Sequence, residues 1–526
     1  MVAWMPELLL VDRRSGSMGS VMSHLRMRSA GPKLKFGGGL CLALCVALGC
    51  GDDSLASGSG DSETTGSGTQ ATGEDSVGST GVSTTTGGET SSSVGDETTD
   101  DADILELLQA IPGVEVVERF DSDAEGRFFE MTYEVANDHD DPDAGSFGLY
   151  MTLIHRDIDA PMVFYTTGYH NYFYDYEVEL SRIVGGNQLS VEKRFTGISI
   201  PDADWSKLNA AQVAADGHAV VTALSTIYGA AWLRTGASLG GEDAVYHHYY
   251  YPDDFAGVVS YVSPFVLGLA DGRFIKHFSD AVDADCQAQL EALQVVMLSD
   301  YRGALVAELE LQVMAEELTR IGSYDDALQT LVLEMPWNLW QSFGMSACSG
   351  LPSADDPELS VDELMMLLDG LAGGVAGVTD QAFEGFQAYS YQAFTQLGRP
   401  ALPLAHLQGL VDDDYVDLET GMGPVGVPMP FEPTFLPKIH NWVATSATDI
   451  IFVYGALDPW GAGRIDASEN PGVATYQAPT GIHATQIQSL STEQEAAIEA
   501  EISAWIGAEL GLLSPLGTAP NLRVPR

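Results

Sequence analysis

From Ile104 onward, short apolar runs alternate with longer amphipathic stretches. The runs Arg127–Val135, Ser146–Arg156, Pro161–Tyr169, Leu189–Phe195, Trp232–Ala237 and Gly257–Val262 are rich in β-branched and aromatic residues and predict strands. Between them, Trp205–Tyr228 and Leu239–Tyr250 carry helical spacing. The pattern becomes helix-rich from Gly268 to Ile439, with Ala284–Ser299, Ala304–Ile321 and Val361–Leu371. Strand character returns at Asp449–Tyr454 and Val473–Ala478, and Thr492–Ile506 closes as an amphipathic helix. Strands alternating with helices predict an α/β fold with a mostly parallel sheet covered on both faces. A helical stretch between late strands predicts an inserted cap. The expected organisation is a core over 104–267, a cap over 268–439, the second part of the core over 440–512 and a tail over 513–526. No internal repeat is visible.

The first hundred residues have another pattern. Phe36–Gly49 is apolar but too short to span a bilayer comfortably, and Arg26, Arg28, Lys33 and Lys35 precede it. A basic region, a short apolar stretch and small residues before a cysteine read as a secretory signal. Ala47-Leu48-Gly49-Cys50 resembles a bacterial lipobox, with Ala47 where Leu is commoner; Cys50 is then the lipidated residue. Cys45 fits less well because Leu44 precedes it. Segment 1–50 is therefore expected to be a signal peptide with a lipobox, and residues before about Met22 a mis-assigned start. From Gly51 to Asp103 the chain is Gly, Ser, Thr, Asp and Glu with almost no large apolar residue. Such a segment cannot bury enough apolar surface to offset its ordering entropy, and 51–103 reads as a flexible tether. An exported bacterial lipoprotein, membrane-anchored at the periplasm or cell surface, is the implied location.

Composition narrows the partners. The chain has 526 residues, 45% of them hydrophobic, enough for a large core. A formal net charge of −52 repels nucleic acid, so DNA and RNA are excluded as expected partners. Of the five cysteines, Cys286 and Cys348 lie beyond the N-terminal stretch, and in an oxidising compartment such a pair can bridge.

The strongest chemical signal is Gly236-Ala237-Ser238-Leu239-Gly240, followed by Gly241. It fits the nucleophile-elbow pattern, with a strand before and a helix after. Glycines are required because the turn is sharp and the flanking backbones come close. A serine nucleophile needs a base, and the base needs an orienting carboxylate, in the chain order Ser, acid, His. Asp458 follows the apolar strand Ile450–Gly455, and His483 lies just beyond the next strand. Ser238, Asp458 and His483 are the expected triad. Asp458 before Pro459 also suits a plain turn, and His483 a surface histidine. Asp466 is the rival acid, farther from its strand. His247 and His248 violate the chain order and read as structural. His139 and His170 have no metal-ligand spacing, and neither a metal nor a cofactor is expected.

These residues resemble the secreted prolyl tri/tetrapeptidyl aminopeptidases, serine peptidases of the α/β-hydrolase fold. The likeness rests on Gly236–Gly241 with Tyr246, Tyr251-Pro252-Asp253-Asp254 and Tyr261-Val262-Ser263-Pro264. It extends to Asp138-His139 with Pro142, Gly145 and Phe147, to Gly168-Tyr169, and to Asn187-Gln188, Val191-Glu192 and Arg194-Phe195. Trp205 with Ala214, Asp216 and His218, and Tyr454-Gly455 with Asp458–Gly461, complete it over roughly residues 120–510. Leu239 departs from the usual lysine, Glu242 from methionine and Thr196 from an aromatic residue, which leaves specificity open. The resemblance implies acyl-enzyme release of tripeptides from free peptide N-termini. The backbone N–H groups of Leu239 and Tyr169 would bind the oxyanion, and Cys286 and Cys348, like similar cap cysteines of the family, would form a disulfide. A carboxylate must meet the substrate ammonium, with Glu192 and Glu242 as candidates. An esterase or lipase of the same fold and a non-catalytic surface lipoprotein are the alternatives.

Overall fold

In the computed structural model, the described residues are 103–510 apart from 121, 123, 142, 172–174 and 413–420. Cys50, the signal and nearly all of the tether, and the C-terminal tail lie outside them.

The core is a nine-stranded sheet: β1 (Val114–Arg119), β2 (Arg127–Ala136), β3 (Ser146–His155), β4 (Met162–Thr166), β5 (Asn187–Val191), β6 (Trp232–Ala237), β7 (Gly257–Tyr261), β8 (Ile450–Gly455) and β9 (Val473–Ala478). Their spatial order is β1-β2-β3-β5-β4-β6-β7-β8-β9. The first strands pair antiparallel as far as β5, and every pair from β5 to β9 is parallel. The strand-by-strand alternation explains the layers. Ile450, Phe452 and Tyr454 face one way; Ile451 and Val453 face the other. All of β8 is buried, as a parallel strand covered on both faces must be.

The helices that cover the sheet are α1 (Ile104–Gln109), α2 (Glu179–Val184), α3 (Ala210–Leu224) and α4 (Leu239–Tyr250) in the first part of the chain. After β7 come the cap helices α5 (Arg273–Asp280), α6 (Ala284–Leu298), α7 (Arg302–Gln312), α8 (Tyr324–Asn338), α9 (Met345–Cys348), α10 (Val361–Ala372), α11 (Asp380–Gly385) and α12 (Gln387–Gln392). The core then resumes with α13 (Phe435–Thr445) and ends on α14 (Thr492–Ile506). α4 and α13 pack on the Ile450 face, α2 and α14 on the Ile451 face. The expected cap boundary at Ile439 cuts through α13. Phe435, Leu436, Ile439 and Val443 belong to the core cluster that holds Val258 and Ile450, so the core begins again before that boundary.

The cap has an apolar core of its own, running from Phe274 to Met422 and reaching Leu457 and Trp460 of the sheet domain. Cys286 and Cys348 are bridged, with Cα atoms 5.5 Å apart across 62 residues of sequence. In the chain-entropy picture a loop of that size is worth about 4 kcal/mol. Among the elements that the sequence pattern does not single out are β1, and α8 with Pro336 inside it. Pro336 has no N–H for the carbonyl of Val332, and the Gln294 side-chain amide donates there instead at 2.8 Å.

Candidate active site

The elbow is built by backbone crowding. β6 ends at Ala237, Ser238 takes φ 55° and ψ −126°, and α4 starts at Leu239. A non-glycine residue held there is strained, and its N–H is pinned to the Tyr261 carbonyl of β7 at 2.9 Å. A Cβ on Gly236 would come within 2.3 Å of the Gly240 carbonyl, so no other residue fits. The loop after β4 closes on the same turn. Gly168, at φ +82°, lies so near that a Cβ would be 2.7 Å from the Gly240 nitrogen. Leu239 occupies the first turn of α4, where N–H groups have no intrahelical acceptor and the helix dipole favours an anion.

The second expected oxyanion donor is placed otherwise. The Tyr169 N–H donates to Thr167 Oγ1 at 3.0 Å, a local turn in which a hydroxyl two residues back captures the backbone. Leu239 keeps its expected place, and the Tyr169 N–H would have to leave Thr167 to join it.

Because β6, β7, β8 and β9 run parallel, their C-terminal ends share one edge of the sheet. Ser238 follows β6 there, Asp458 follows β8, and His483 follows β9. Asp458 is 0% exposed and caps the 3₁₀ turn Pro459–Gly463. Its Oδ1 accepts the Trp460 N–H at 3.2 Å, and its Oδ2 is 2.8 Å from His483 Nδ1. A carboxylate only accepts, so Nδ1 carries the proton and Nε2 is left as the base nitrogen. Asp466, the rival acid, is exposed and bonds the Ser468 N–H.

The other histidines have structural partners. His247 Nε2 is 2.8 Å from Asp254, and burial holds its pKa down to about 4. His248 meets the Thr448 carbonyl, His139 meets Asp216, and burial lowers His170 to about 4. Among the described residues no group of three or more His, Cys, Asp or Glu could hold a metal ion.

Glu192 and Glu242, the two candidates for meeting a substrate amine, are both buried and hydrogen-bonded within the protein. Glu192 Oε1 accepts the Asn171 N–H, and Oε2 accepts from the Ile198 and Ser199 N–H groups and the Ser199 hydroxyl, so it ties loops together. Glu242 lies buried under the elbow with the Tyr246 hydroxyl donating to it at 3.0 Å. Burial raises its pKa well above 4.5. A raised carboxyl contributes its full stability below the unfolded pKa and loses it as pH rises. Glu242→Gln keeps an acceptor for Tyr246 and removes that loss. The variant is expected to melt a few degrees higher at pH 8, with the gain shrinking toward zero near pH 4. Melting curves across that range check it; a gain equal at both ends would contradict it.

Two residues escape sequence reading. Glu179 accepts from the Ile487 and Gln488 N–H groups at 2.8 and 3.0 Å and from the Tyr261 hydroxyl, holding the segment just past His483. Gln341 of the cap accepts the His483 N–H at 3.0 Å. Neither lies in a motif; both act across more than 100 residues of sequence.

The strand order, the elbow and the acid–base pair at one sheet edge define an α/β-hydrolase. Residues 98–513 match the model of the family described as PS-10 peptidase S37. A prolyl tri/tetrapeptidyl aminopeptidase from Streptomyces mobaraensis is 35% identical over 424 residues, 78% of this chain and 86% of that protein. The chain belongs to the S37 peptidase family, and is a serine hydrolase of the aminopeptidase type. Solved α/β structures are far more distant. A proline iminopeptidase from Mycobacterium smegmatis has a TM-score of 0.34 at 13% identity, covering 72% of this chain and 99% of that one. An α/β hydrolase from Novosphingobium aromaticivorans has a TM-score of 0.30 at 14% identity, covering 71% and 97%.

Proposed function

We propose that the protein is an exported serine peptidase that releases tripeptides from free N-termini through an acyl-enzyme. The observation that carries the reading is the buried Asp458 at 2.8 Å from His483 Nδ1, on the sheet edge where the strained Ser238 stands. Ser238 attacks the peptide carbonyl, His483 Nε2 takes its proton and returns it to the leaving amine, and Asp458 holds the ring. The N–H of Leu239 stabilises the oxyanion. Water then repeats the sequence on the ester. The name of the Streptomyces relative supports the tri- and tetrapeptide register and a preference for proline at the cut.

The test is a pair of peptides with the same sequence, one with a free amine and one acetylated. Release of the first three residues is expected from the free peptide alone, because a site that recognises an N-terminus leaves polar groups unpaired when the ammonium is blocked. Equal cleavage of both, read by mass spectrometry, removes the aminopeptidase reading and leaves the hydrolase.

Export and anchoring rest on Cys50 and the tether behind it. Cys50→Ser is expected to move the protein from the membrane to the soluble fraction and to abolish labelling by a fatty-acid analogue. Equal labelling of both forms would show that the lipid is elsewhere or absent.

A further inference from the structure

The acid–base pair is gripped from the cap, through one residue. α8 continues past Asn338 into a π-helical turn, Leu339–Phe343, closed by the Gly344 N–H on the Leu339 carbonyl at 2.8 Å. The wider turn shifts the register of the residues after it, and such turns recur at functional sites. The chain then breaks away at Gly344, whose φ is 54° and which lies against Ile482. Gln341 is in that last turn, where a helix has carbonyls to spare, and it is 2% exposed.

Both polar ends of Gln341 face the catalytic loops. Its backbone carbonyl accepts the His483 N–H at 3.0 Å. Its side-chain Oε1 accepts the Trp460 indole N–H at 2.9 Å. Trp460 in turn donates its backbone N–H to Asp458 Oδ1 at 3.2 Å, and Asp458 Oδ2 meets His483 Nδ1 at 2.8 Å. The bonds close a ring through Gln341, His483, Asp458 and Trp460. The Trp460 indole is wedged against Trp337 of α8, with ring centroids 4.7 Å apart, so the ring is seated in the cap's own core.

We infer that Gln341 is a positioning residue for His483, and that the cap sets the geometry of the base through it. The inference rests on the triad proposed above. Base and nucleophile must meet within a few tenths of an ångström, and a 1 Å misplacement costs on the order of 100-fold in rate. Gln341 supplies a neutral acceptor at a fixed reach. Without it the Trp460 N–H is buried and unpaired, the turn after Asp458 relaxes, and the imidazole loses its aim.

A fluorophosphonate probe reads this without any peptide, since it labels Ser238 only as fast as His483 can activate it. Gln341→Met keeps the side chain's length and removes the acceptor. Trp460→Phe keeps an aromatic ring and removes the donor. Each is expected to slow labelling by ~10–100-fold, and peptide turnover is expected to show kcat lowered with KM within about twofold. The double variant is expected to be little slower than either single one, because both cut the same ring. Labelling at the wild-type rate in either variant overturns the inference, as does a double variant in which the two losses multiply, or a raised KM with kcat intact. If Gln341→Met fails to fold, Trp460→Phe carries the test alone. A wild type that takes no label at Ser238 overturns the triad itself, and the inference with it.

Discussion

Ser238→Ala is expected to lower kcat/KM by roughly 10⁵–10⁶-fold, and adding His483→Ala is expected to change little more. The reason is structural unity. In the proposed mechanism the Ser238 hydroxyl carries the acyl group, and His483 acts on that hydroxyl. With the serine gone the base has nothing to deprotonate. His483 stands over a carboxylate that is wholly buried and bonded on both oxygens, so its ring is set for one task. Steady-state kinetics on a free-amine peptide, measured for both single variants and the double, give the numbers. Losses that multiply would show that the two residues act separately, and wild-type activity in Ser238→Ala would end the serine-peptidase mechanism for this site.

Gly240→Ala is expected to cost at least about 100-fold in kcat while leaving Ser238 in place. The methyl group would come 2.1 Å from the Thr166 carbonyl oxygen and 2.8 Å from the Thr167 carbonyl carbon. Both are backbone atoms leading out of β4, and β4 is held between β5 and β6. The strand cannot move, so the first turn of α4, Leu239 with it, must shift away from the end of β4. The Leu239 N–H, the proposed oxyanion donor, is then displaced although no catalytic side chain has changed. Circular dichroism is expected to remain that of the wild type, and the deficit is expected in kcat. A variant with normal kcat would mean that the turn yields cheaply and that this donor plays no part in the transition state.

Which features could be read in the sequence depends on how local their causes are. The elbow was legible because Gly236 answers to Gly240 within five residues, and β6, α4, β9 and α14 begin and end where the apolar pattern does. The order of Asp458 and His483 was legible because a parallel sheet allows few places for them. β1 was not, since Val114–Arg119 alternates half-buried and exposed positions at a sheet edge. Pro336 disguised α8, and nothing nearby in sequence shows that Gln294 repairs the missing bond. The bond that holds the Tyr169 N–H was not legible for a smaller reason, the hydroxyl of Thr167 two residues back. Glu192 and Glu242 stood as candidates for the substrate amine because a sequence gives no sign of the N–H and O–H groups that donate to them in the fold. Gln341 and Glu179 lie in no motif at all, for their partners are brought near only by the finished fold.

The cap enters the chain between β7, which ends at Tyr261, and β8, which begins at Ile450. The nucleophile therefore leaves the ribosome well before its acid and base, and a whole helical domain is made in between. A partly synthesised chain holds a strained serine with no histidine to activate it. Completion needs β8 to pair with β7 and β9 with β8, a long-range step across the inserted helices. A peptidase arranged this way cannot cut until its last strand is in place.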